Sequence, residues 1–431
     1  MAAVLLATVF GAVIVRQVTG RGPPIWALVL TGALATVVTG VLPVEGAQSA
    51  LLSSAPTLLF LFALFVFAGA LEGAGALDHL ARWILARARQ PSNLPFVLFV
   101  GFGLVSAVMV NDALVLIGVP LLAGVATRLR TDPKPLLLIL AFSVTIGSTL
   151  TPFGNPQNLL VAVASGVASP VSVFLRYLAL PTAINLLLGG WYVRWAYGPG
   201  VLAAHPEPML ERARPRLLPT NGWYRRLRRY PVLWIFPGTM LVLVSLDITS
   251  SLTRGPTVPV WETALAGAVL LLLLNPGREP SLRRVNWSIL LLFAGLFVVV
   301  AGALQGGVVG ALDDLLPVPG PGQPTGALLA VVGTSIGGSQ LVSNVPWVAL
   351  QIPILTGLGY GPGTPVIWMA LAAGSTLAGN VTLLGAASNL IIVDSAEKLG
   401  IHIRLAEFMR HGLPLSAITI TVLVVCLLLG L

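Results

Sequence analysis

TIGSTLTPFGNPQNLL, residues 145–160, begins and ends as an apolar helix but carries Pro152, Gly154 and Pro156 among the amides Asn155, Gln157 and Asn158. Backbone that leaves helical geometry within a bilayer exposes N–H and C=O groups, which protein, water or solute must satisfy. Pro156 removes one donor and Gly154 permits turns that other residues resist. Freed carbonyls suit a cation, and freed N–H groups at the next helix start suit an anion or a polar neutral solute. The stretch therefore predicts a helix broken at mid-membrane around a small polar site.

The rest of the chain supports a membrane setting. Of 431 residues, 56% are apolar and 9% charged, with a mean hydropathy of +0.93. Many windows approach the roughly 20 apolar residues that cross a bilayer. Spans are expected near 2–15, 25–42, 51–71, 135–165, 170–197, 231–246, 259–275, 287–305, 365–393 and 413–431. The first apolar run lacks a basic leader and reads as a retained helix. The only lysines, Lys134 and Lys398, lack the glycine-rich lead of a phosphate-binding loop, and lone Cys426 cannot form a thiolate cluster. No cofactor or metal is expected, and the chain reads as a carrier, not an enzyme.

Two further apolar segments, 94–126 and 325–358, are too long for one straight span and short for two. If each dips in and returns on one side, all basic residues except Arg176 and Arg254 fall on a single face. The positive-inside rule makes that face cytoplasmic and places both termini outside, in a multi-pass protein of the inner (plasma) membrane. This placement accounts for the net charge of +9 without nucleic acid. The basic stretch 199–230 reads as a topogenic cytoplasmic linker or a contact for anionic headgroups.

The chain also repeats itself. SAVMVNDALVLIGVPLL (106–122) superposes on SQLVSNVPWVALQIPIL (339–355), setting Asn111 on Asn344. GALEG (69–73) matches GALQG (302–306), and GSTLTPFGNPQNL (147–159) matches GSTLAGNVTLLGAASNL (374–390), whose extra length is about one helical turn. Residues 1–198 and 231–431 thus read as two units of five spans, each with a re-entrant hairpin and a broken helix. An odd span count inverts the second unit, a plan common among secondary transporters.

The first hairpin turns at Val110-Asn111-Asp112 and the second at Ser343-Asn344-Val345-Pro346. The second break runs from Gly379-Asn380 to Gly385, with Thr382, Ser388 and Asn389 close by. Asn111, Asn155, Gln157, Asn158, Ser343, Asn344, Thr382, Ser388 and Asn389 are the expected solute ligands. Pro152, Gly154, Pro156, Gly379 and Gly385 are the expected structural breaks. Asp112 is the acid expected deep in the membrane, where ionisable groups mark ion or proton paths. Its repeat partner is Val345, which suits a proton-coupling group present once. Glu72 and Glu262 fall near span ends. Gly147, Ser148, Gly374 and Ser375 suit close helix packing.

At these residues the sequence resembles the ion transporter superfamily, nearest the arsenite efflux permeases (ArsB-type). The resemblance rests on Asn111-Asp112, TPFGNPQNLL (151–160), Ser343-Asn344-Val345-Pro346 and GNVTLLGAASNL (379–390), and covers nearly the whole chain. It implies a transport domain of hairpins and broken helices moving against a scaffold. It further implies proton-coupled efflux of arsenite or antimonite, which are uncharged trihydroxides at neutral pH. Relatives exchange sodium for protons or carry dicarboxylates, citrate or sulfate. Neither hairpin reads Ser-Asn-Thr, the signature of sodium-coupled dicarboxylate relatives. The resemblance also admits a soluble ATPase partner at the basic linker, and a homodimer.

Overall fold

The structure is a computed structural model that describes residues 2–19, 22–85, 87, 91–204, 229–253, 258–275, 282–307 and 318–430. Most of the expected linker at 199–230 lies outside the described residues. In chain order the helices are α1 (Ala2–Thr19), α2 (Ile25–Val38), α3 (Val44–Ser53), α4 (Ala55–Gly73), α5 (Ala76–Leu85), α6 (Leu94–Ser106), α7 (Asn111–Leu129), α8 (Pro133–Gly147) and α9 (Pro156–Ala164). There follow α10 (Pro170–Ala204), α11 (Val232–Thr253), α12 (Val260–Leu274), α13 (Trp287–Gln305), α14 (Pro324–Val342), α15 (Asn344–Gly357), α16 (Pro365–Ala378), α17 (Ala387–Glu397) and α18 (Leu405–Leu428). No strand occurs among the described residues.

Seven of these segments are long and apolar enough to cross a membrane: Ala55–Gly73, Pro133–Leu150, Pro170–Gly198, Val232–Thr253, Trp287–Gln305, Pro324–Val342 and Leu405–Leu428. The spans expected near 2–15, 25–42, 259–275 and 365–393 lie in the shorter apolar helices Ala2–Arg16, Ile25–Val38, Val260–Leu274 and Pro365–Ala378. Two details depart from expectation. The span expected over 51–71 is preceded by its own short helix, α3, which ends at the turn around Ser54. The segment 325–358, expected to dip in and return, begins with α14, whose 19 residues are by themselves long and apolar enough to cross.

Helices α8 and α16 form the centre. Leu136 to Gly147 and Val366 to Ala378 are buried without interruption, as befits helices that are apolar on every side. α6 and α7 both pack on α8, and α14 and α15 both pack on α16; α14 and α15 also pack on each other. The distal halves of the broken helices cross over: α9 packs on α15 and α16, whereas α17 packs on α7 and α8. The outer helices pair the same way, α2 with α13 and α4 with α12.

One cross-link escaped the sequence reading. Asp247, near the end of α11, is buried and caps the start of α10. Its carboxylate accepts from the Val171 and Ser172 backbone N–H groups at 3.0 and 2.8 Å, and from the Ser172 hydroxyl at 2.6 Å. A carboxylate at a helix N-terminus satisfies groups the helix cannot and meets the positive end of its dipole. Asp247→Ala should therefore destabilise the fold by about 2 kcal/mol, read as a lowered thermal unfolding midpoint in detergent. Asp247→Asn should recover part of the loss.

Candidate solute site at the broken helices

The first break opens where α8 tightens into a short 3-10 turn, Ser148–Leu150, and Thr151 turns extended. Asn155 restarts the helix as its N-cap, accepting from the Asn158 N–H at 2.8 Å, with Pro156 at the first helical position. This is the order helix starts favour. The loop folds back so closely that a Cβ on Gly154 would fall inside the Ser148 backbone, so glycine is required there. Pro152 sits buried within the loop.

The expected amide ligands hold this break together. Asn155 Nδ2 donates to Ser148 Oγ at 2.9 Å, and Asn158 Nδ2 donates to the Ser148 and Thr151 carbonyls at 2.9 and 3.0 Å. Asn155 Nδ2 and Gln157 Nε2 also reach Thr376 of α16, whose hydroxyl accepts from both at 3.2 and 3.0 Å. Thr376, unremarked in the sequence beyond its place in GSTL, therefore links the two breaks.

The second break repeats this pattern. Asn389 Nδ2 donates to the Gly379 carbonyl at 2.7 Å and the Thr382 carbonyl at 3.4 Å. Phe153 N–H meets Thr151 Oγ1 at 3.3 Å, as Leu384 N–H meets Thr382 Oγ1 at 3.2 Å. Corresponding residues are 231 positions apart (389 minus 158, 382 minus 151). The GSTL copies are 227 apart (374 minus 147), so in α16 that motif lies one turn before the break. This shift brings Thr376 within reach of the first break.

Each hairpin is tied to the break beside it. At the first, Asn111 N–H donates to the Gly154 carbonyl at 2.9 Å and the Thr151 hydroxyl donates to the Ala107 carbonyl. At the second, Gln340 Nε2 donates to the Ala378 carbonyl at 2.8 Å and Gln340 Oε1 accepts from the Thr382 hydroxyl at 2.7 Å. Gly379 caps α16, and Gly385 lies directly beneath the Gln340 amide. Ser343 holds φ 70° and ψ 161°, backbone that glycine tolerates and serine does not, at a cost of about 1–3 kcal/mol. Asn344 Oδ1 accepts from the Val345 N–H at 3.0 Å.

Several buried oxygens lack any partner among the described residues: Asn111 Oδ1, Asn380 Oδ1, Ser388 Oγ and Asn389 Oδ1. Asp112, 6% exposed, likewise makes no hydrogen bond or ion pair there, so it does not cap its own hairpin. It lines a cavity of about 340 Å³ with Glu72, Arg284, Leu390 and Asp394. Arg284, one of the basic residues expected on the cytoplasmic face, enters this cavity from the loop before α13. Glu262 is exposed on α12, lining a separate groove with Trp234 and Gly267. A further cavity of about 420 Å³ lies between α3–α4, α9, α13 and α15, lined by Thr57, Leu160, Phe297 and Ala349 with no ionisable side chain.

Comparison with known proteins accords with this architecture. A 46 kDa membrane protein of Mycobacterium leprae is 27% identical over 404 residues, covering 91% of this chain and 90% of its own. An uncharacterized transporter of Mycobacterium tuberculosis is 28% identical over 413 residues, with the same coverage. A silicon efflux transporter of Oryza sativa subsp. japonica is 28% identical over 455 residues, again covering 91% of this chain and 90% of its own. The sequence profile described as "Citrate transporter" matches residues 10–374. A multi-pass membrane transporter is what the apolar helices and these matches jointly indicate, and the chain belongs to the citrate transporter family.

Proposed function

We propose that the chain is a proton-coupled secondary transporter built from two inverted units, 1–198 and 231–431. It sits in the inner (plasma) membrane with both termini outside and the linker cytoplasmic. The exchanged pairing of α9 with α15 and of α17 with α7 supports the inverted repeat, because a two-fold axis relates one contact to the other. One observation carries the transport reading. Asp112 is a buried carboxylate without a partner among the described residues, at a cavity wall where a hairpin tip meets the other half's broken helix. A buried charge is costly unless it titrates or meets a ligand.

For the cargo, efflux of an uncharged metalloid hydroxide, arsenite or antimonite, fits the free oxygens of Asn111, Ser388 and Asn389, which accept hydrogen bonds from hydroxyls. The relative named for silicon efflux supports a hydroxylated solute. Of the expected ligands, these three have spare capacity, whereas Asn155, Gln157 and Asn158 hold the break in shape. A second reading, a citrate-type carboxylate, is favoured by the family's description and by Arg284 in the cavity.

Everted vesicles decide between them. Arsenite, antimonite or silicic acid should accumulate under an imposed pH gradient, and citrate should not. Citrate accumulation with no metalloid uptake would select the second reading. Sodium-dependent dissipation of the gradient, with neither solute moved, would make the protein a sodium/proton antiporter and overturn both.

A further inference from the structure

The two cavities differ in one respect that bears on cargo charge. The cavity beside Asp112 contains ionisable groups, and its counterpart beside α15 contains none. The asymmetry follows the repeat: Glu72 faces Gln305 across the GALEG and GALQG match, and Asp112 faces Val345. Charge therefore acts on a solute along one face of its path.

Within that cavity two of the acids have basic neighbours. Asp394 pairs with Lys398 at 2.6 Å, just past the end of α17, but both side chains are well exposed and the pair is weak. Arg284 Nε stands 3.8 Å from Glu72 Oε1, at the outer limit of an ion pair, with both side chains about 40% exposed. Such a pair is weak and screened. The guanidinium also lies against the end of α4, where Gly73 leaves room for it: a Cβ there would sit 2.5 Å from Nη1. A guanidinium so placed presents a planar fork to any carboxylate or oxyanion, and can exchange Glu72 for a bidentate ligand.

We propose that Arg284 is an anion-selecting residue at the mouth of the Asp112 cavity, and that Glu72 competes with the solute for it. The proposal rests on the reading above in taking this cavity as the solute path. Anions are drawn in by Arg284, whereas neutral hydroxides pass it without discrimination. It would thus set the relative access of the two cargo classes.

Thiol labelling tests this without requiring transport. In a Cys426→Ser background, Ser395→Cys places one thiol on the cavity wall. Its reaction rates with anionic, cationic and uncharged methanethiosulfonate reagents report the local potential. Arg284→Gln should lower the anionic-to-cationic rate ratio by roughly tenfold, and Glu72→Gln should raise it several-fold, since charge-lined clefts shift on-rates by about 10- to 1000-fold. Arg284→Lys should keep the ratio near that of the parent, and the uncharged reagent should react alike in all variants. A ratio unmoved by Arg284→Gln overturns the proposal, and so does an equal change with the uncharged reagent, which would report altered shape. A ratio unmoved by Glu72→Gln overturns the competition. Because no cargo enters the assay, its outcome stands apart from that of the vesicle experiment.

Discussion

Asp112→Asn should reduce proton-driven accumulation in everted vesicles to the leak of protein-free vesicles, while downhill exchange of the solute persists. Asparagine keeps the volume and much of the hydrogen-bonding capacity of aspartate but cannot carry a proton between states. Asp112 lies in the first turn of α7, where the helix dipole favours negative charge, and no lysine, arginine or histidine pairs with it among the described residues. Its charge is therefore balanced only by protonation, by the helix end or by the cargo. A carrier whose empty site holds such a group cycles when the group is neutralised, and this couples proton to solute. The variant should also lose the pH dependence of uptake. Retained coupling with Asn at 112 would remove this residue from the proton path and direct attention to Glu72 or Asp394 in the same cavity.

The breaks are legible in the sequence because their signals are local. Pro152, Gly154 and Pro156 interrupt an otherwise apolar helix, and Asn155-Pro156 is a recognisable restart. Of the turn expected over Ser343-Asn344-Val345-Pro346, Ser343 alone leaves helical geometry, in the strained conformation, and Asn344, Val345 and Pro346 open α15, since proline is tolerated in a helix's first turn. What the amides do was not legible. Asn155, Gln157 and Asn158 resemble ligands because the fold-back that brings Ser148 and Thr151 to Asn155 and Asn158 has no signature in the sequence. Their common partner, Thr376, is more than two hundred residues away, reached only through the four-residue offset between the GSTL copies. Asp247 escaped for the same reason: its partners at Val171 and Ser172 lie on another helix. Arg284 was read as a cytoplasmic loop charge, and only the packing of α4 against its neighbours brings it into the cavity with Asp112. Composition and punctuation specify elements, whereas which polar group meets which is settled by tertiary packing.

Gly147→Ala should destabilise the protein by about 3 kcal/mol or more, whereas Gly374→Ala, the same change in the other copy of GSTL, should be nearly neutral. A Cβ at Gly147 would fall on the Gly103 carbonyl, backbone against backbone, where α6 crosses the end of α8. Neither chain can yield locally, because Ser106 Oγ donates to the Val144 carbonyl at 2.6 Å in the same crossing. At Gly374 the nearest atom to a new Cβ is Val332 Cγ2 at 3.4 Å, an ordinary contact, and alanine there gains up to about 1 kcal/mol of helix propensity. Thermal unfolding in detergent and the monodisperse yield of the two variants would check this contrast. The asymmetry has a functional reading. With α6 pressed onto α8 at a glycine, and Asn111 bonded to Gly154, the first hairpin and the first break must move as one body. The second pair is joined through Gln340 and Thr382 side chains, which can exchange partners. If the two alanine variants proved equally stable, the close crossing of α6 and α8 would be wrong, and with it the rigid coupling of the Asp112 hairpin to the first break.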